Sequence, residues 1–250
     1  MIKKIHYIWF GGQLPLSNLA IVDEWKSMHP NVEFYFWNDN NIEKYDCLFL
    51  RQCLRKKAYA FAADYIRLRV VNEYGGFYMD TDMKLLKPLS IGHSKGFEIC
   101  EEEDGRAAWG YFYSEPNHKI TLSCLMKYEG LIFDQFKPPV IPYFLNEIIQ
   151  NGKDQASILS KEVFYSLPTT ENPENYNQFI TNLSIGVHLW DFSWKELKIE
   201  RPLFTEVLYR LRILFVDFLY MEYPKYYFKI NFERIRRLIK FHFVEKSKNT

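Results

Sequence analysis

The sequence predicts an α/β fold in which a mainly parallel, doubly wound sheet is followed by a C-terminal helical extension. An apolar run near the N-terminus ends in a Gly-Gly turn, and a strand–helix–strand order follows it. That order is typical of parallel sheets, because the helix carries the chain back to start the next strand in the same direction. Basic amphipathic segments then occupy the last part of the chain, residues 201–250.

Hydrophobic periodicity and breaker residues define the elements of the N-terminal part. The clearest helix, residues 59–74, has large apolar faces and is stopped by Gly75-Gly76. A short apolar strand follows and ends at Asp80-Thr81-Asp82. The predicted elements in order are a strand over 5–10, a helix over 19–28, a strand over 32–37, a helix over 59–74 and a strand over 77–79.

The middle of the chain has weaker patterns. Short apolar runs predict strands, and longer runs with helical spacing predict helices. Polar residues rich in turn formers predict connections. These patterns predict strands over 84–89, 97–100 and 108–113, helices over 117–128 and 143–150, connections over 151–161 and 169–177, and a short apolar segment over 186–190.

Composition and charge exclude several classes of protein. The chain has 250 residues, of which 48% are hydrophobic, so it can bury a core and is not disordered as a whole. The formal net charge of +1 gives no drive towards nucleic acid, and we predict no nucleic-acid partner. The charge is uneven, since residues 201–250 hold 11 Lys or Arg against 5 Asp or Glu.

Cysteine usage and hydropathy bear on the compartment. The four cysteines have no Cys-x-x-Cys spacing and lie among apolar residues, which indicates reduced, buried thiols and a cytoplasmic location. The N-terminal apolar run is too short for a signal peptide, and no run of about 18 apolar residues predicts a membrane span. We therefore expect a cytoplasmic protein without a membrane-spanning helix.

The Asp80-Thr81-Asp82 motif carries the strongest chemical signal. Two carboxylates two residues apart at the end of a strand can approach one hard divalent cation, whose other ligands are commonly phosphate oxygens. An isolated Asp-x-Asp motif is more often a solvated turn. Here the motif lies between two apolar segments, where two charges are costly unless something binds them.

A second pair of charges precedes the motif. Asp64 and Arg67 are three residues apart on the predicted helix 59–74, and therefore share one helical face. One interpretation is an ion pair on the helix surface, which contributes little to stability. The other is a ligand-binding role for both residues, because this helix leads directly into the acidic motif.

Three separated motifs, in matching order and spacing, resemble glycosyltransferase family 32. They are Trp9-Phe10-Gly11-Gly12, Ala62-Ala63-Asp64-Tyr65-Ile66-Arg67 and Gly75 to Asp82, and His188 to Trp194 resembles the closing motif of the family. The chain is also similar to the glucosyltransferase domain of large clostridial toxins. The resemblance implies a GT-A-type fold with a mixed, mainly parallel sheet. One departure is Ala63, where the family usually has Ser, which removes a hydroxyl from the implied donor site.

The resemblance also implies residue roles. Trp9 would stack on the nucleotide base, and Ser193 and Trp194 would close over the diphosphate. His188 would be a third metal ligand, which favours Mn²⁺ over Mg²⁺. The implied sets are Asp80, Asp82, Arg67 and Glu98 for catalysis, Trp9, Asp64, Arg67, Asp80, Ser193 and Trp194 for donor binding, and Asp80, Asp82 and His188 for the metal.

Each of these roles has a structural alternative. Trp9 and Trp194 would otherwise be packing residues, and His188 a structural histidine with its hydrogen bonds satisfied. Glu98 is placed on the sugar side of the pocket because it follows a predicted strand. Its alternative is an exposed strand-end acid beside the loop Glu101–Asp104, which is expected to be solvated.

The implied activity is a retaining, metal-dependent transfer of a hexose from a UDP-sugar, or from a GDP-sugar, to a glycan or lipid-linked acceptor. Such a reaction suits surface polysaccharide assembly, as of capsule or lipopolysaccharide. One rival is a phosphotransferase or nucleotidyltransferase, which would need further carboxylates around a second metal. The other is a non-catalytic carbohydrate-binding scaffold that keeps the fold.

The C-terminal segment predicts a separate extension. We expect a catalytic domain over residues 1–200 and a basic amphipathic helical extension over 201–250. Large apolar residues alternate with Arg and Lys over residues 203–243, a pattern that suits the surface of an anionic membrane on its cytoplasmic face. The alternative is a helical subdomain whose charges are merely solvated.

Overall fold

The computed structural model describes residues 3–90, 96–102, 104–191 and 201–246. The chain divides into two compact units, Met1–Trp194 and Lys195–Thr250. The predicted boundary at residue 200 lies outside the described residues, and it stays a prediction.

A six-stranded mixed sheet forms the centre of the first unit. Its strand order is β2-β1-β3-β6-β5-β7, and β6 is the one strand of this sheet that runs antiparallel to its neighbours. The mixed, mainly parallel sheet predicted from the sequence is thereby confirmed. The strands of this unit, of which β4 and β8 form a second sheet, are β1 (Lys4–Ile8), β2 (Glu33–Trp37), β3 (Gly76–Met79), β4 (Met83–Leu85), β5 (Phe97–Glu101), β6 (Ala107–Ser114), β7 (Ala156–Leu159) and β8 (Gly186–His188).

Helices cover both faces of the sheet, as a doubly wound fold requires. The helices of this unit are α1 (Leu16–Met28), α2 (Leu48–Arg55), α3 (Tyr59–Tyr74), α4 (Lys119–Tyr128), α5 (Ile141–Phe144) and α6 (Asn146–Asn151). Helices α2, α3 and α4 bury their apolar residues in one core cluster, which includes Tyr78 and Phe112 of the sheet. Helix α1 contributes Val22 and Trp25 to a second cluster, which includes Phe77 and Tyr111.

A small second sheet brings distant parts of the chain together. Strands β4 and β8 pair antiparallel, with Met83 opposite His188 and Leu85 opposite Gly186. The pairing is extended by a backbone hydrogen bond of 3.0 Å from Leu189 N to Asp82 O. The end of β8 therefore lies against the chain that follows β3.

The structure contains two elements, β7 and α2, that the sequence did not predict. Residues 151–161 were expected to be turn-rich, but they contain β7, which pairs parallel to β5 at the edge of the sheet. An edge strand needs no continuous apolar run, since part of it faces solvent, and its pattern is weak for that reason. Helix α2 has no counterpart among the predicted elements. Its buried side includes Phe49, Leu50 and Gln52, whose Oε1 accepts a hydrogen bond of 2.7 Å from Phe133 N. The helix has only 8 residues, fewer than the stretch over which helical periodicity is recognised.

The predicted boundaries are otherwise close, with two exceptions. The strand predicted over 84–89 is limited to Met83–Leu85, because Leu86 and Lys87 instead donate backbone hydrogen bonds to Ile185 O. The helix predicted over 143–150 is two short helices, α5 and α6, which meet at Leu145. Helix α3 begins and ends at the predicted residues.

The second unit contains two helices, α7 (Leu203–Leu219) and α8 (Lys225–Lys246). The buried Tyr227 hydroxyl donates a hydrogen bond of 2.7 Å to Asp217 Oδ2, and this bond ties the two helices together. Within the described ranges, no helix is both long enough and apolar enough to cross a membrane.

Candidate active site

A glycine pair sets the position of the acidic motif. Gly75, which has a φ of 62°, follows the last residue of α3, and β3 starts at Gly76, which has a φ of 108°. A Cβ atom at Gly76 would lie 2.6 Å from Lys4 O, so only glycine lets β3 approach β1 this closely. Strand β3 then delivers Asp80 at its carboxyl end, where Asp80 N donates a hydrogen bond of 2.8 Å to Gly110 O.

Three side chains converge at this carboxyl end. His188 Nε2 lies 3.5 Å from Asp80 Oδ2 and 3.4 Å from Asp82 Oδ1. One potential ligand atom from each of the three residues lies within 4.8 Å of the other two. Asp82 and His188 are buried and Asp80 is partly buried. The pairing of β4 with β8 thus joins the Asp-x-Asp motif to the histidine that the sequence placed over a hundred residues away.

The separations between these atoms fit a divalent cation. Two ligand atoms held about 2.1 Å from one ion are on the order of 3–3.5 Å apart at octahedral or tetrahedral angles. Two carboxylates with one imidazole suit Mn²⁺ well and Mg²⁺ less well. Asp80, Asp82 and His188 would hold such an ion.

Arg67 lies behind the acidic motif in a buried ion-pair network. Its Nη2 is 3.0 Å from Asp64 Oδ1 and 3.5 Å from Asp80 Oδ1, and its Nη1 donates a hydrogen bond of 2.8 Å to Trp109 O. The side chains of Arg67 and Asp64 are only 8% and 10% exposed, so the alternative of a surface ion pair is wrong. In this arrangement Arg67 fixes the carboxylate of Asp80.

The charges in this cluster shift each other's pKa values. Burial alone would raise the pKa of Asp80, but Arg67 and His188 outweigh it and lower that pKa to about 2. Burial raises the pKa of Asp64 to about 7, although Arg67 opposes the shift. Burial would lower the pKa of His188, but the neighbouring Asp82 and Asp80 raise it. The raised pKa of His188 shows that Asp80 and Asp82 favour positive charge beside them, and a metal cation would supply such charge.

Helix α1 and the chain after β8 hold the motif in place. Trp25 Nε1 donates a hydrogen bond of 2.7 Å to Met83 O, and Asn18 Nδ2 donates one of 3.2 Å to Thr81 Oγ1. Asp191 N donates a hydrogen bond of 2.8 Å to Asp82 Oδ2, which orients that carboxylate towards the cluster. Such supporting bonds keep ligand atoms in a fixed geometry.

Two further residues at the cluster had no sequence signal. A Cβ atom at Gly110 in β6 would lie 2.6 Å from Asp80 Oδ2, 2.8 Å from the Tyr165 hydroxyl and 3.1 Å from His188 Cδ2. The ring of Tyr165 stacks on His188 with 5.3 Å between ring centroids. Gly110 lies within the strand predicted over 108–113 and Tyr165 follows the connection predicted over 151–161, so only the tertiary structure identifies them as site residues.

The remaining predicted site residues lie in different places. Trp9 follows β1 and is partly buried. Its backbone N–H donates a hydrogen bond of 3.0 Å to Trp37 O, and within the described part of the chain no aromatic ring stacks on its indole. Glu98 lies within β5, opposite Tyr113, and Tyr111 donates a hydrogen bond of 2.8 Å to its carboxylate. Their roles stay predictions. Ser193 and Trp194 lie outside the described residues.

Glu102 was assigned to a solvated loop, but it is partly buried just after β5, and its N–H donates to Arg106 O at 2.8 Å. Burial raises the pKa of its carboxyl group, while the charges of Arg106 and His188 oppose that shift. Glu102 is therefore less solvated than the sequence indicated.

Comparison with known proteins gives the class. Residues 16–98 match the family described as glycosyltransferase sugar-binding region containing DXD motif, and this range includes α1, α3 and the acidic motif. The match covers 83 of the 250 residues, and over this range the chain is similar to the sugar-binding region of DXD glycosyltransferases, which supports a glycosyltransferase activity. The narrower assignment to glycosyltransferase family 32 stays a prediction.

Individual relatives are more distant. Subversion of eukaryotic traffic protein A of Legionella pneumophila is 27% identical over 114 residues, which cover 35% of this chain. The match spans only 18% of that relative's length. Among solved structures, PaToxG Glycosyltransferase matches with a TM-score of 0.49 and 16% identity, over 60% of this chain and 69% of its own. A glycosyltransferase involved in the glycosylation of the major capsid of PBCV-1 matches with a TM-score of 0.42 and 12% identity, over 78% and 95%.

Proposed function

We propose that the chain transfers a hexose from a nucleotide diphosphate sugar to a glycan or lipid-linked acceptor, with Asp80, Asp82 and His188 holding a divalent cation. The convergence of these three side chains within 4.8 Å carries the proposal. UDP-sugars are the preferred donors and GDP-sugars the alternative, and Mn²⁺ is preferred over Mg²⁺ because one ligand is an imidazole. Surface polysaccharide assembly is the process that we infer for it from the resemblance to family 32.

In this proposal Asp80, Asp82 and His188 would hold the cation, which would stabilise negative charge on the leaving diphosphate. Asp80 and Asp82 orient that charge at the carboxyl edge of the sheet, and Arg67 keeps Asp80 ionised and in place. Trp9, which is partly buried after β1, offers its indole face to the nucleotide base. The buried walls of the site exclude water from a donor that water would otherwise hydrolyse.

We propose retention of the anomeric configuration through a front-face displacement. The bond between the anomeric carbon and the diphosphate oxygen breaks, and an acceptor hydroxyl forms the new glycosidic bond on the same face. The proton of that hydroxyl passes to the leaving phosphate oxygen. Such a reaction depends on positioning and charge stabilisation rather than on a strong protein base.

A donor screen tests the reaction class. The full chain is incubated with Mn²⁺ or Mg²⁺ and a panel of UDP- and GDP-sugars, and release of the free nucleoside diphosphate is followed. We expect slow hydrolysis of one donor, abolished by EDTA and by Asp82→Asn. Asp23→Asn is the matched control, since Asp23 is an exposed acid of α1 that pairs with Lys26.

The outcomes separate the proposal from its two rivals. Release of a monophosphate, or transfer of a phosphoryl group, would favour the phosphotransferase. Binding of a glycan without metal-dependent nucleotide binding would favour the carbohydrate-binding scaffold. A wild-type chain that neither turns over nor binds any donor in the presence of metal would refute the transferase proposal.

The acceptor is approached through the same assay. Lipid-linked oligosaccharides and free glycans are the proposed acceptors, and we expect one of them to accelerate donor turnover. The printed name of the Legionella relative concerns subversion of eukaryotic traffic, so a protein acceptor is included as a third arm. Labelling of protein alone would contradict the proposed acceptor class and leave the transferase class intact.

We also propose that the helices α7 and α8 bind an anionic membrane surface. Large apolar side chains are exposed where α7 ends, with Phe218 63% and Met221 89% exposed. The second helix carries Arg234, Arg236, Arg237 and Lys240 within two turns. Apolar side chains beside basic ones match the chemistry of an anionic lipid interface. A membrane location would bring the chain to lipid-linked acceptors.

Vesicle sedimentation of the full chain tests this second proposal. We expect binding to phosphatidylcholine vesicles only when they contain phosphatidylserine, with weaker binding at high salt. Met221→Glu should reduce binding about 10-fold by placing a charge at the exposed apolar end of α7. Leu16→Glu is the matched control, since Leu16 is 83% exposed in α1. Equal binding of Met221→Glu and wild type would contradict the proposal.

A further inference from the structure

Beside the acidic cluster lies a buried tyrosine hydroxyl without a protein partner. Tyr165 is only 4% exposed, and among the described residues its hydroxyl makes no hydrogen bond. Its ring, in contrast, is well packed: it stacks on His188 at 5.3 Å and lies 5.6 Å from the ring of Trp190. The ring has a structural role that phenylalanine would fill equally well, whereas the hydroxyl has no such role in the protein alone.

The backbone holds this hydroxyl at the cluster. Val163 O accepts a hydrogen bond of 3.0 Å from Ile185 N, and Phe164 O accepts one of 2.8 Å from His188 N. The residues that precede Tyr165 are therefore fixed to the strand that carries His188. On the opposite side, the Tyr165 hydroxyl and Asp80 Oδ2 both lie within 2.8 Å of the point where a Cβ atom of residue 110 would be.

A buried hydroxyl without a partner destabilises the folded protein, because it loses its hydrogen bonds to water and gains none. A phenol is protonated at neutral pH, so the hydroxyl can donate a hydrogen bond. What it lacks is an acceptor oxygen on the side of the cluster. A divalent cation held by Asp80, Asp82 and His188 would bring such oxygens with it.

We propose that Tyr165 is a ligand-binding residue whose hydroxyl donates a hydrogen bond to an oxygen bound to the cation, either of the donor diphosphate or of water. This inference rests on the proposed function. The hydroxyl is thus satisfied only in the loaded site, and part of the binding free energy comes from relieving a group that is unpaired in the free protein. A hydroxyl that donates a hydrogen bond to a diphosphate oxygen would also stabilise the negative charge that develops on that oxygen during transfer.

The test uses Tyr165→Phe in the full chain, which keeps the ring against His188 and removes only the hydroxyl. Calorimetry gives the Kd for Mn²⁺ alone and for UDP in the presence of Mn²⁺, and denaturant unfolding gives the stability of the ligand-free protein. We expect about 10-fold weaker binding, about 1.4 kcal/mol, with ligand-free stability unchanged or increased. Tyr113→Phe is the matched control, because Tyr113 is buried in β6 opposite Phe77, away from the carboxyl edge.

Each outcome has a distinct meaning. If UDP binds more weakly while the Kd for Mn²⁺ by itself is unchanged, the result supports a bond to the diphosphate. If Mn²⁺ by itself binds more weakly, the result supports a bond to metal-bound water. Binding equal to wild type in both titrations, or a loss of ligand-free stability that accounts for the weaker binding, overturns the inference. If the wild-type chain binds neither Mn²⁺ nor UDP, the proposed function itself is contradicted, and this result does not depend on the variant.

Discussion

Two buried histidines in this molecule have opposite surroundings. His6, in β1, is fully buried among the stacked rings of Tyr35, Trp37 and Tyr74. Its Nε2 lies 3.0 Å from Gly75 O, and its Nδ1 accepts a hydrogen bond of 3.1 Å from Trp37 Nε1. Both ring nitrogens are satisfied by neutral groups, and burial lowers the pKa of His6 to about 4.

His188 is buried to a similar degree, yet it faces two carboxylates. The charges of Asp82 and Asp80 raise its pKa despite burial. Burial alone therefore does not distinguish a structural histidine from a functional one; the charge of the neighbours does. The surroundings of His6 are complete within the protein, whereas those of His188 are completed by a cation in the proposed function.

The largest effect that this comparison predicts is the loss of His188. His188→Ala would remove one of three proposed ligands and leave Asp80 and Asp82 to repel each other. We expect metal-dependent donor turnover to fall about 1,000-fold. The matched change in the other region, His6→Gln, should leave turnover per folded molecule unchanged. Turnover of His188→Ala within a few-fold of wild type would show that His188 is structural, like His6.

Acid should act on stability through His6. Its folded pKa of about 4 lies below its unfolded value of 6.5, so between these values the unfolded state binds more protons. This contribution to stability is therefore present above pH 6.5 and lost as the pH falls. The unfolded imidazole is already half protonated at pH 6.5, so the loss from pH 6.5 to 5 is about 1.6 kcal/mol at 1.36 kcal/mol per pKa unit.

The variant His6→Gln isolates this contribution. Glutamine can donate to Gly75 O and accept from Trp37 without titrating, so the difference in unfolding free energy between variant and wild type should change with pH. Other titrating groups cancel in that difference. Denaturant unfolding at pH 6.5 and pH 5 measures it, and a difference independent of pH would refute the assigned role of His6.

Crowding at Gly110 should have a moderate effect. The Cβ atom in Gly110→Ala would meet Asp80 Oδ2, the Tyr165 hydroxyl and the His188 ring. We expect a loss of donor turnover of about 10-fold or more, because the ligand atoms must shift by roughly half an ångström or more to clear the new methyl group. Gly152→Ala is the control, since its Cβ atom would meet Ile120 at 3.1 Å, outside the cluster. Similar losses in both variants would indicate a general packing effect.

The smallest effect concerns the partner of His6. Trp37→Phe keeps an aromatic ring in the stack but removes the hydrogen bond to His6 Nδ1. We expect the unfolding free energy to fall by about 1 kcal/mol at neutral pH, with donor turnover unchanged. Thermal or denaturant unfolding measures the first quantity and the donor assay the second. A change in turnover would mean that the two regions are coupled.

The predictability of the fold follows the strength of local patterns. Helix α3 has a long apolar face and a glycine stop, and its bounds were predicted correctly. Strand β7 lies at a sheet edge and has 4 residues, and α2 has only 8 residues, so neither is long enough for periodicity to identify it. Elements whose stability comes from long-range contacts were missed, while elements with their own signal were found.

The site divides in the same way. Asp80 and Asp82 are two residues apart, and the glycine pair before them identifies the strand end that carries them. Gly110 and Tyr165 belong to the same cluster, but they come from β6 and from the segment fixed to β8. These residues belong to the site because they lie close in space to residues that are distant in the sequence, and no local sequence pattern indicates such proximity.

The sequence by itself determined the α/β class, the order of the three motifs, the acidic pair and the helix that holds Asp64 and Arg67, because these depend on residues close together in the chain. Only the tertiary structure decided that His188 lies within 3.5 Å of both aspartates, that the Arg67 pair is buried and that His6 is neutral. These properties depend on the pairing of β4 with β8 and on the exclusion of water. Both arise when residues distant in sequence pack together, which periodicity cannot encode.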